Sequence, residues 1–479
     1  MNLDKLSQSA IEHALAKGAS YADFRYEELT EQDLAVRDAR PETFNRSYSR
    51  GFAIRLIADG AWGFAAEAVT SEETIIVAVE KAFQIARASA TINQKSIELA
   101  PVEKVTDSYK TPIKKDPFLV SLSEKVAYLE QLESMMRIDD QITTSSASMS
   151  FYKTSKYFAS SAGSQITQDI YQAGIGASCG IIKSHREQYE RAYPTPGGQW
   201  VTGGYEITEK FDFAESLPNL VEEVKALAWA KDCPEGEMDV VLSGDMLSLQ
   251  IHESVGHPLE LDRVFGYERN FSGISFATPD KLDNLKYASE LVTFSADSKA
   301  PGGLATYAYD DEGVKTEKTP LIERGMLVNY LSDRETASRI GKQSTACCRA
   351  AGWMNVPIVR IPNVLMNPGD KSFDQLIGEI DKGLYVTAPD SWSIDDNREG
   401  FSLGGQVGWL IEGGKLTTMV KSPRYSGSTV QFWNSCDAIG DESQWRIWGT
   451  PNCGKGQPGQ NARTAQGCSP ARFRKVRVG

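Results

Sequence analysis

The stretch His252–Asp262 reads HESVGHPLELD and sets a His–Glu pair shortly before a second histidine. Two imidazoles and a carboxylate this close suggest a metal-activated water with a carboxylate base. The usual zinc helix for that chemistry is H-E-x-x-H, with histidines four apart. At about 100° per residue such a pair differs by about 40° and shares a face. His252 and His257 are five apart, so a straight helix would splay them by about 140°. Gly256 precedes His257 and Pro258 follows it. A residue before proline is pushed out of the α region, so the sequence predicts His257 at or just past the helix end, in a distorted last turn.

A catalytic zinc needs three protein ligands and one open position. His13 and His185 lie far away in unhelpful patterns, so the third ligand is a Cys, Asp or Glu. Cys453, in the glycine-rich loop TPNCGKGQPGQ, comes first, Cys436 in WNSCDA second and Glu260 third. Glu260 is equally placed to accept a hydrogen bond from a ligand histidine. Glu253 is the candidate general base. The bland reading of the same motif is two unrelated histidines and an exposed helix carboxylate.

The elements that must carry these residues are partly readable. The segment VVLSGDMLSLQIHESVGH reads as a strand, a turn at Ser243–Gly244 and an amphipathic helix. Upstream, helices are predicted over 3–18, 71–90, 116–137 and 216–231, the last capped by Ser216 with Pro218 in its first turn. Strands flank a turn at Asp59–Gly60, and residues 142–205 alternate as several antiparallel strands. The turn-rich CPEGEMD places a boundary near 235. The expected fold class is α+β: an N-terminal domain, 1–235, of antiparallel sheet with helices, then a larger mixed β-rich domain, 236–479, carrying the metal helix. The basic ending PARFRKVRVG reads as a solvated edge strand.

At 479 residues the chain can bury at least two cores. Its net charge of −13 disfavours a phosphate-backbone binder and adhesion to anionic membranes. No stretch approaches a membrane span, and the N-terminus lacks a secretory core. Seven cysteines, two of them adjacent, give no disulfide framework, so a reducing cytoplasm is expected. Asp310–Glu312 and Asp395–Asp396 read as polar turns, and GGQVGWLIEGG as a hairpin. The nine tryptophans read as core and dimer-contact residues.

HESVGHPLELD, YAYDDEGVKTEKTPLIERGMLVNYLSDRETA and PNCGKGQPGQ, with ALAKGASYADFRYEE and RGFAIRLIADGAWGFAAEA near the start, together resemble the TldD/PmbA family over essentially the whole chain. The resemblance implies a metallopeptidase of the TldD branch. It implies zinc on His252, His257 and Cys453, with Glu253 as general base. It implies a homodimer, or a heterodimer with a PmbA/TldE-like chain, whose enclosed cavity admits unfolded peptides. Thr387–Phe401 and the tail QNARTAQGCSPARF depart from the family pattern, with Gln466 where a histidine would be unsurprising. Three rival readings stand beside this one: an inactive PmbA-like partner subunit, a zinc amidohydrolase acting on a non-peptide or modified-peptide amide, and a structural zinc closed by Cys436 or Glu260.

Overall fold

The computed structural model describes residues 2–93 and 95–479. Its first half is built on long strands: β1 (Tyr21–Arg37), β2 (Arg40–Ala58), β3 (Ala61–Glu67), β4 (Thr106–Lys110), β5 (Thr144–Ser160), β6 (Gln165–Ser184), β7 (Glu187–Tyr193) and β8 (Gln199–Thr202). They form one sheet, ordered β3-β2-β1-β5-β6-β4, with β7 and β8 also on β6. The helices are α1 (Leu3–Ala16), α2 (Glu72–Ala90), α3 (Leu122–Ser134) and α4 (Phe213–Trp229).

Side chains alternate across a strand, and β1 uses both faces. Ala22, Phe24 and Tyr26 join the core under α1 and α2, while Leu34 and Val36 join the core under α3 and α4. Asp23, Arg25 and Glu27, between them in sequence, are buried on the opposite face. There Arg25 donates to the Asn355 carbonyl and faces Asp311, so this face of the sheet packs on the second half of the chain.

Two N-terminal expectations change. Residues 116–137 are not one helix: Pro117–Leu119 form a short 3₁₀ turn, Val120 is extended, and α3 restarts behind the N-cap Ser121. α4 begins at Phe213 because the Asp212 side chain accepts from Glu215 N–H, which places Pro218 inside the helix rather than in its first turn. α2 forms as expected, capped by Ser71 with Thr74 completing the reciprocal cap. The Asp59–Gly60 turn forms, with both residues at positive φ.

The second half adds β9 (Lys231–Asp232), β10 (Gly236–Leu242), α5 (Gly244–Ile251), α6 (Leu261–Val264), β11 (Phe294–Ala296), β12 (Thr319–Glu323), β13 (Met326–Leu327), α7 (Arg334–Arg339), β14 (Cys348–Arg349), β15 (Ile358–Val359) and β16 (Asn363–Met366). Then follow α8 (Phe373–Gly378), β17 (Lys382–Ile394), β18 (Gly400–Glu412), β19 (Lys415–Lys421), β20 (Arg424–Ser428), α9 (Thr429–Asn434), β21 (Cys436–Ile439), β22 (Arg446–Lys455), β23 (Gln460–Cys468) and β24 (Ala471–Val478). β17-β10-β24-β20-β18 close on themselves through the β17–β18 hairpin, making a small barrel. A second sheet runs β13-β12-β11-β16-β23-β22. α5 packs between the two, against β17 on one side and β22 and β23 on the other.

The basic ending is not an edge strand. β24 lies inside the barrel, paired to β10, β20 and β21. Two of its three arginines are matched by carboxylates: Arg472 by Asp437 and Glu379, Arg474 by Asp437 and Asp239. The run Asp310–Glu312 is a turn closed at Gly313, but it is buried, and Asp311 and Glu312 pair with Lys156 and Arg55 of the first sheet. Among the tryptophans, Trp433 is fully buried, while Trp229 and Trp392 are exposed.

Candidate metal centre

α5 starts at the Ser243 cap, where the side chain accepts from Met246 N–H, and ends at Ile251. The chain then makes a π-helical turn over His252–Gly256, in which His257 N–H bonds the His252 carbonyl. A π turn holds one residue more than an α turn, so residues five apart come to stand over one another. This brings the two histidines together. His257 itself keeps α-helical angles (φ −62°, ψ −41°) in spite of Pro258, so the distortion lies before the second histidine and not at it. Gly256 permits the close packing, since a Cβ there would meet Ile361 Cδ1 at 2.8 Å. A 3₁₀ turn, His257–Leu259, ends the element.

The rings of His252 and His257 stand edge to face, 4.9 Å between centroids. Cys453 Sγ lies 3.5 Å from His257 Nε2. One ligand atom from each of His252, His257 and Cys453 falls within 4.8 Å of the others, and all three residues are buried. Two donors sharing a tetrahedral zinc at usual Zn–N and Zn–S lengths would be about 3.6 Å apart. The donor set therefore fits a borderline-soft ion, and one side of it opens on a cleft. Cys453 is not in a glycine loop. It is on β22 opposite Ala462, just past an irregularity at Pro451–Asn452 that shifts the register. Cys436 is on β21 with its thiol toward the Ala438 carbonyl and does not join the group.

Glu260 holds one of these histidines. His257 Nδ1 lies 2.8 Å from Glu260 Oε2, which leaves Nε2 toward Cys453. Thr464 Oγ1 lies 3.5 Å from His252 Nδ1. Behind Glu260 is a buried network that residue spacing does not reveal. Lys455 Nζ, fully buried, donates to Asp262 Oδ1 and Oδ2 at 2.6 and 2.9 Å and to the Val359 carbonyl at 2.7 Å. It also lies 3.3 Å from Glu260 Oε1, and Arg263 lies 3.3 Å from Glu260 Oε2. Lys455 thus ties the strand of Cys453 to the turn of His257 across 193 positions. The only sequence signal for it was a lysine two residues past the cysteine. Arg360 joins this strand to β23, donating to the carbonyls of Cys453 and Gln460. Gln466 is buried on β23, opposite Trp448, and is not one of the grouped donors.

Burial sets the local ionisation. It pushes the His252 imidazole below its ordinary range, toward the neutral form a metal requires. It opposes ionisation of Cys453, but His257 and Arg360 bring the thiol below its usual value. It also works to raise Glu253, yet His257, His252 and Arg398 outweigh it and hold the carboxyl low. Glu260 is held well below the carboxylate range by Lys455 and His257 against the same burial.

The cleft beside the histidines has a volume of about 870 Å³. Its walls include Leu249, Glu253, Trp392, Ile394 and Arg398. Arg398, on the turn between β17 and β18, reaches Glu253 Oε2 at 2.8 Å. Nothing in the sequence marked it, because the divergent segment 387–401 carries no recognisable spacing. Asp395 and Asp396 lie in that same turn. A second, polar cavity of about 620 Å³ between the two sheets shares Trp200, Pro451 and Asn452 with the cleft. No helix among the described residues is long and apolar enough to cross a membrane.

Residues 235–479 match the model of the PmbA/TldA metallopeptidase C-terminal domain, residues 115–231 the central domain, and residues 22–86 domain 1. A metalloprotease of Methanocaldococcus jannaschii is 30% identical over 443 residues, 92% of each chain. A zinc metalloprotease TldD homolog of Saccharolobus solfataricus is 25% identical over 480 residues, 98% of each. The fold is shared with TldE of Thermococcus kodakarensis, at a TM-score of 0.74 and 18% identity over 100% of this chain and 99% of that one. It is also shared with a Thermotoga maritima protein described as a modulator of a DNA gyrase, at 0.78 and 16% over the full length of both. The chain belongs to the PmbA/TldD family of metallopeptidases.

Proposed function

We propose that the chain is a zinc-dependent peptidase that hydrolyses unfolded or extended peptides, with His252, His257 and Cys453 as ligands and Glu253 as general base. The observation that carries this reading is the π turn, which stacks two histidines beside a cysteine brought from 196 positions away. Bound zinc would supply a Lewis acid that acidifies a water and polarises the scissile carbonyl. Glu253 takes the proton of the attacking water and delivers it to the departing amide nitrogen, so that water and one peptide bond give a carboxylate and an amine. Glu260, accepting from His257 Nδ1, keeps Nε2 free as the donor.

The barrel offers a place for the substrate backbone. β17 pairs with β10 only as far as Val386, and beyond it pairs with β18 alone. Its free edge therefore runs from Thr387 to Ile394, and Pro389, Trp392, Ser393 and Ile394 line the cleft. A peptide added to such an edge is bound through its main chain, with little regard for side-chain identity. The chain pairs with itself or with a PmbA/TldE-like chain, and the assembled cavity limits access to extended peptides.

The test is elemental analysis of wild type and Cys453→Ala, followed by a panel of unstructured peptides and small amides. About one zinc per wild-type chain, little in the variant and cleavage of peptides support the reading. Full zinc in Cys453→Ala removes the cysteine from the ligand set. Zinc without peptide cleavage, but with turnover of a small amide, replaces the peptidase by an amidohydrolase. A wild type without zinc makes the chain a partner subunit.

A further inference from the structure

The general base is not alone at the cleft. Glu253 Oε2 accepts from Arg398 at 2.8 Å, while among the described residues Oε1 has no hydrogen-bond partner. Glu253 and Arg398 both line the cleft, with side chains almost entirely buried. A carboxylate with one oxygen held and the other open is restricted in its χ angles and presents a single basic atom. The nearby Arg263 does not compete for this place. Its guanidinium reaches the Ser272 carbonyl and hydroxyl at 2.8 and 2.7 Å and Glu260 Oε2 at 3.3 Å.

The turn carrying Arg398 is built to deliver it. Arg398 has φ +60°, a conformation that a residue with a Cβ holds only when its surroundings impose it. Asp395 imposes much of it, its carboxylate accepting from the N–H groups of Asn397, Glu399 and Gly400. Thr429 adds a hydroxyl to the Arg398 carbonyl and its own N–H to that of Glu399. From the other side, Ile274 and Phe276 N–H bond the carbonyls of Asp396 and Asn397. Gly273 permits that approach, since a Cβ there would meet the Asp396 oxygen at 2.1 Å. Three separate segments therefore fix a strained turn whose outward product is one guanidinium on one carboxylate.

We infer that Arg398 is the positioning residue of this active site, which clamps Glu253 by Oε2 and leaves Oε1 to take the proton of the attacking water. The inference rests on the reading of Glu253 as general base. It assigns a function to a segment that departs from the family pattern, and it makes the β17–β18 turn part of the catalytic apparatus instead of only a wall.

Arg398→Gly is the variant of choice, because glycine accepts φ +60° without strain and removes the side chain alone. Arg398→Lys restores the charge but not the planar fork. With each variant, wild type and Glu253→Gln purified in the presence of zinc, we would measure zinc content, kcat and KM on an unstructured fluorogenic peptide. The glycine variant would be repeated with millimolar guanidinium. Crystal structures of zinc-loaded wild type and Arg398→Gly would record the Glu253 rotamer. Arg398→Gly is expected to keep its zinc, to lose about tenfold to a hundredfold in kcat with KM little changed, and to recover part of it with guanidinium. Arg398→Lys should fall between the two, and Glu253 should adopt more than one rotamer in Arg398→Gly. Wild-type kcat in Arg398→Gly, or a Glu253 rotamer unchanged from wild type, overturns the inference. An active Glu253→Gln, or a wild type that cleaves no peptide, would overturn the general-base reading or the peptidase reading instead. The rotamer comparison would still decide the place of Arg398.

Discussion

At the scale of single residues, the chemistry is divided between groups that would touch the ion and groups that hold them. Glu253 touches no donor directly, yet it stands on the same turn as both histidines and faces the cleft. Glu253→Gln is isosteric and keeps an oxygen for Arg398, so it should retain zinc while losing roughly 10²–10⁴-fold in kcat. Zinc retained with full turnover would remove the assigned role. Lys455 is the opposite kind of residue, remote from substrate and fully buried among Glu260, Asp262 and a carbonyl. Removing one partner of a buried ion pair leaves the other uncompensated, which costs about 3–5 kcal/mol. Because Glu260 orients His257, zinc affinity should also fall by about 10–100-fold. Lys455→Met should therefore lower both the urea midpoint and the affinity read by chelator competition. A variant with wild-type values for both would show that the strand of Cys453 is held by something else.

At the scale of elements, the site depends on two irregularities. One is the π turn, the other the turn between β17 and β18. The composition of the first was legible. The five-residue spacing announced that an ordinary helix could not serve, and glycine and proline placed a departure at the end of that helix. What spacing could not give was its form. The strain was expected at His257, before proline, but it is taken up over His252–Gly256 by widening the turn. Cys453 was legible as the first candidate through its glycine-rich surroundings, whereas its strand setting, the bulge before it and the Lys455 network depend on contacts across nearly 200 positions. The second turn was opaque, since positive φ at an arginine has no sequence signature. Gly273 tests how tightly that turn must be held. Its φ is +81°, and alanine would place a methyl 2.1 Å from a backbone oxygen. Gly273→Ala should destabilise the protein by roughly 2 kcal/mol or more and lower kcat through Arg398, although residue 273 lies outside the cleft lining. Unchanged melting temperature and kcat would mean that the contact relaxes without moving the turn.

At the scale of the whole molecule, the first sheet and the half that carries the candidate metal site are joined by buried charge. Arg25, Arg55 and Lys156 extend from β1, β2 and β5 to Asp311 and Glu312. Glu312 Oε2 in turn accepts from Arg334 N–H at the start of α7, beside the N-cap Asp333. Asp333 is half-buried and, among the described residues, has no cation of its own. Burial first, and the neighbouring Glu312 second, push its carboxyl up to about 7 from an ordinary 3.8. Between those two values the folded chain binds a proton that the unfolded chain has released. The contribution of Asp333 to stability is therefore full below the ordinary value and is lost as pH rises through 7. A shift of this size sets an upper bound of about 4 kcal/mol, reduced by the solvent that Asp333 still meets. Burial also raises Asp262, to about 6, and Asp310, so the wild-type profile alone would not identify the group. Asp333→Asn does. Asparagine still caps α7 but does not titrate. Denaturant midpoints should show the variant gaining on wild type steadily from pH 5 to pH 8, with the difference levelling above about 8. Profiles that run parallel across that range would mean that Asp333 is ionised throughout in the folded protein. The junction between the two halves would then tolerate three neighbouring carboxylates on the strength of Arg55, Arg25 and Lys156 alone.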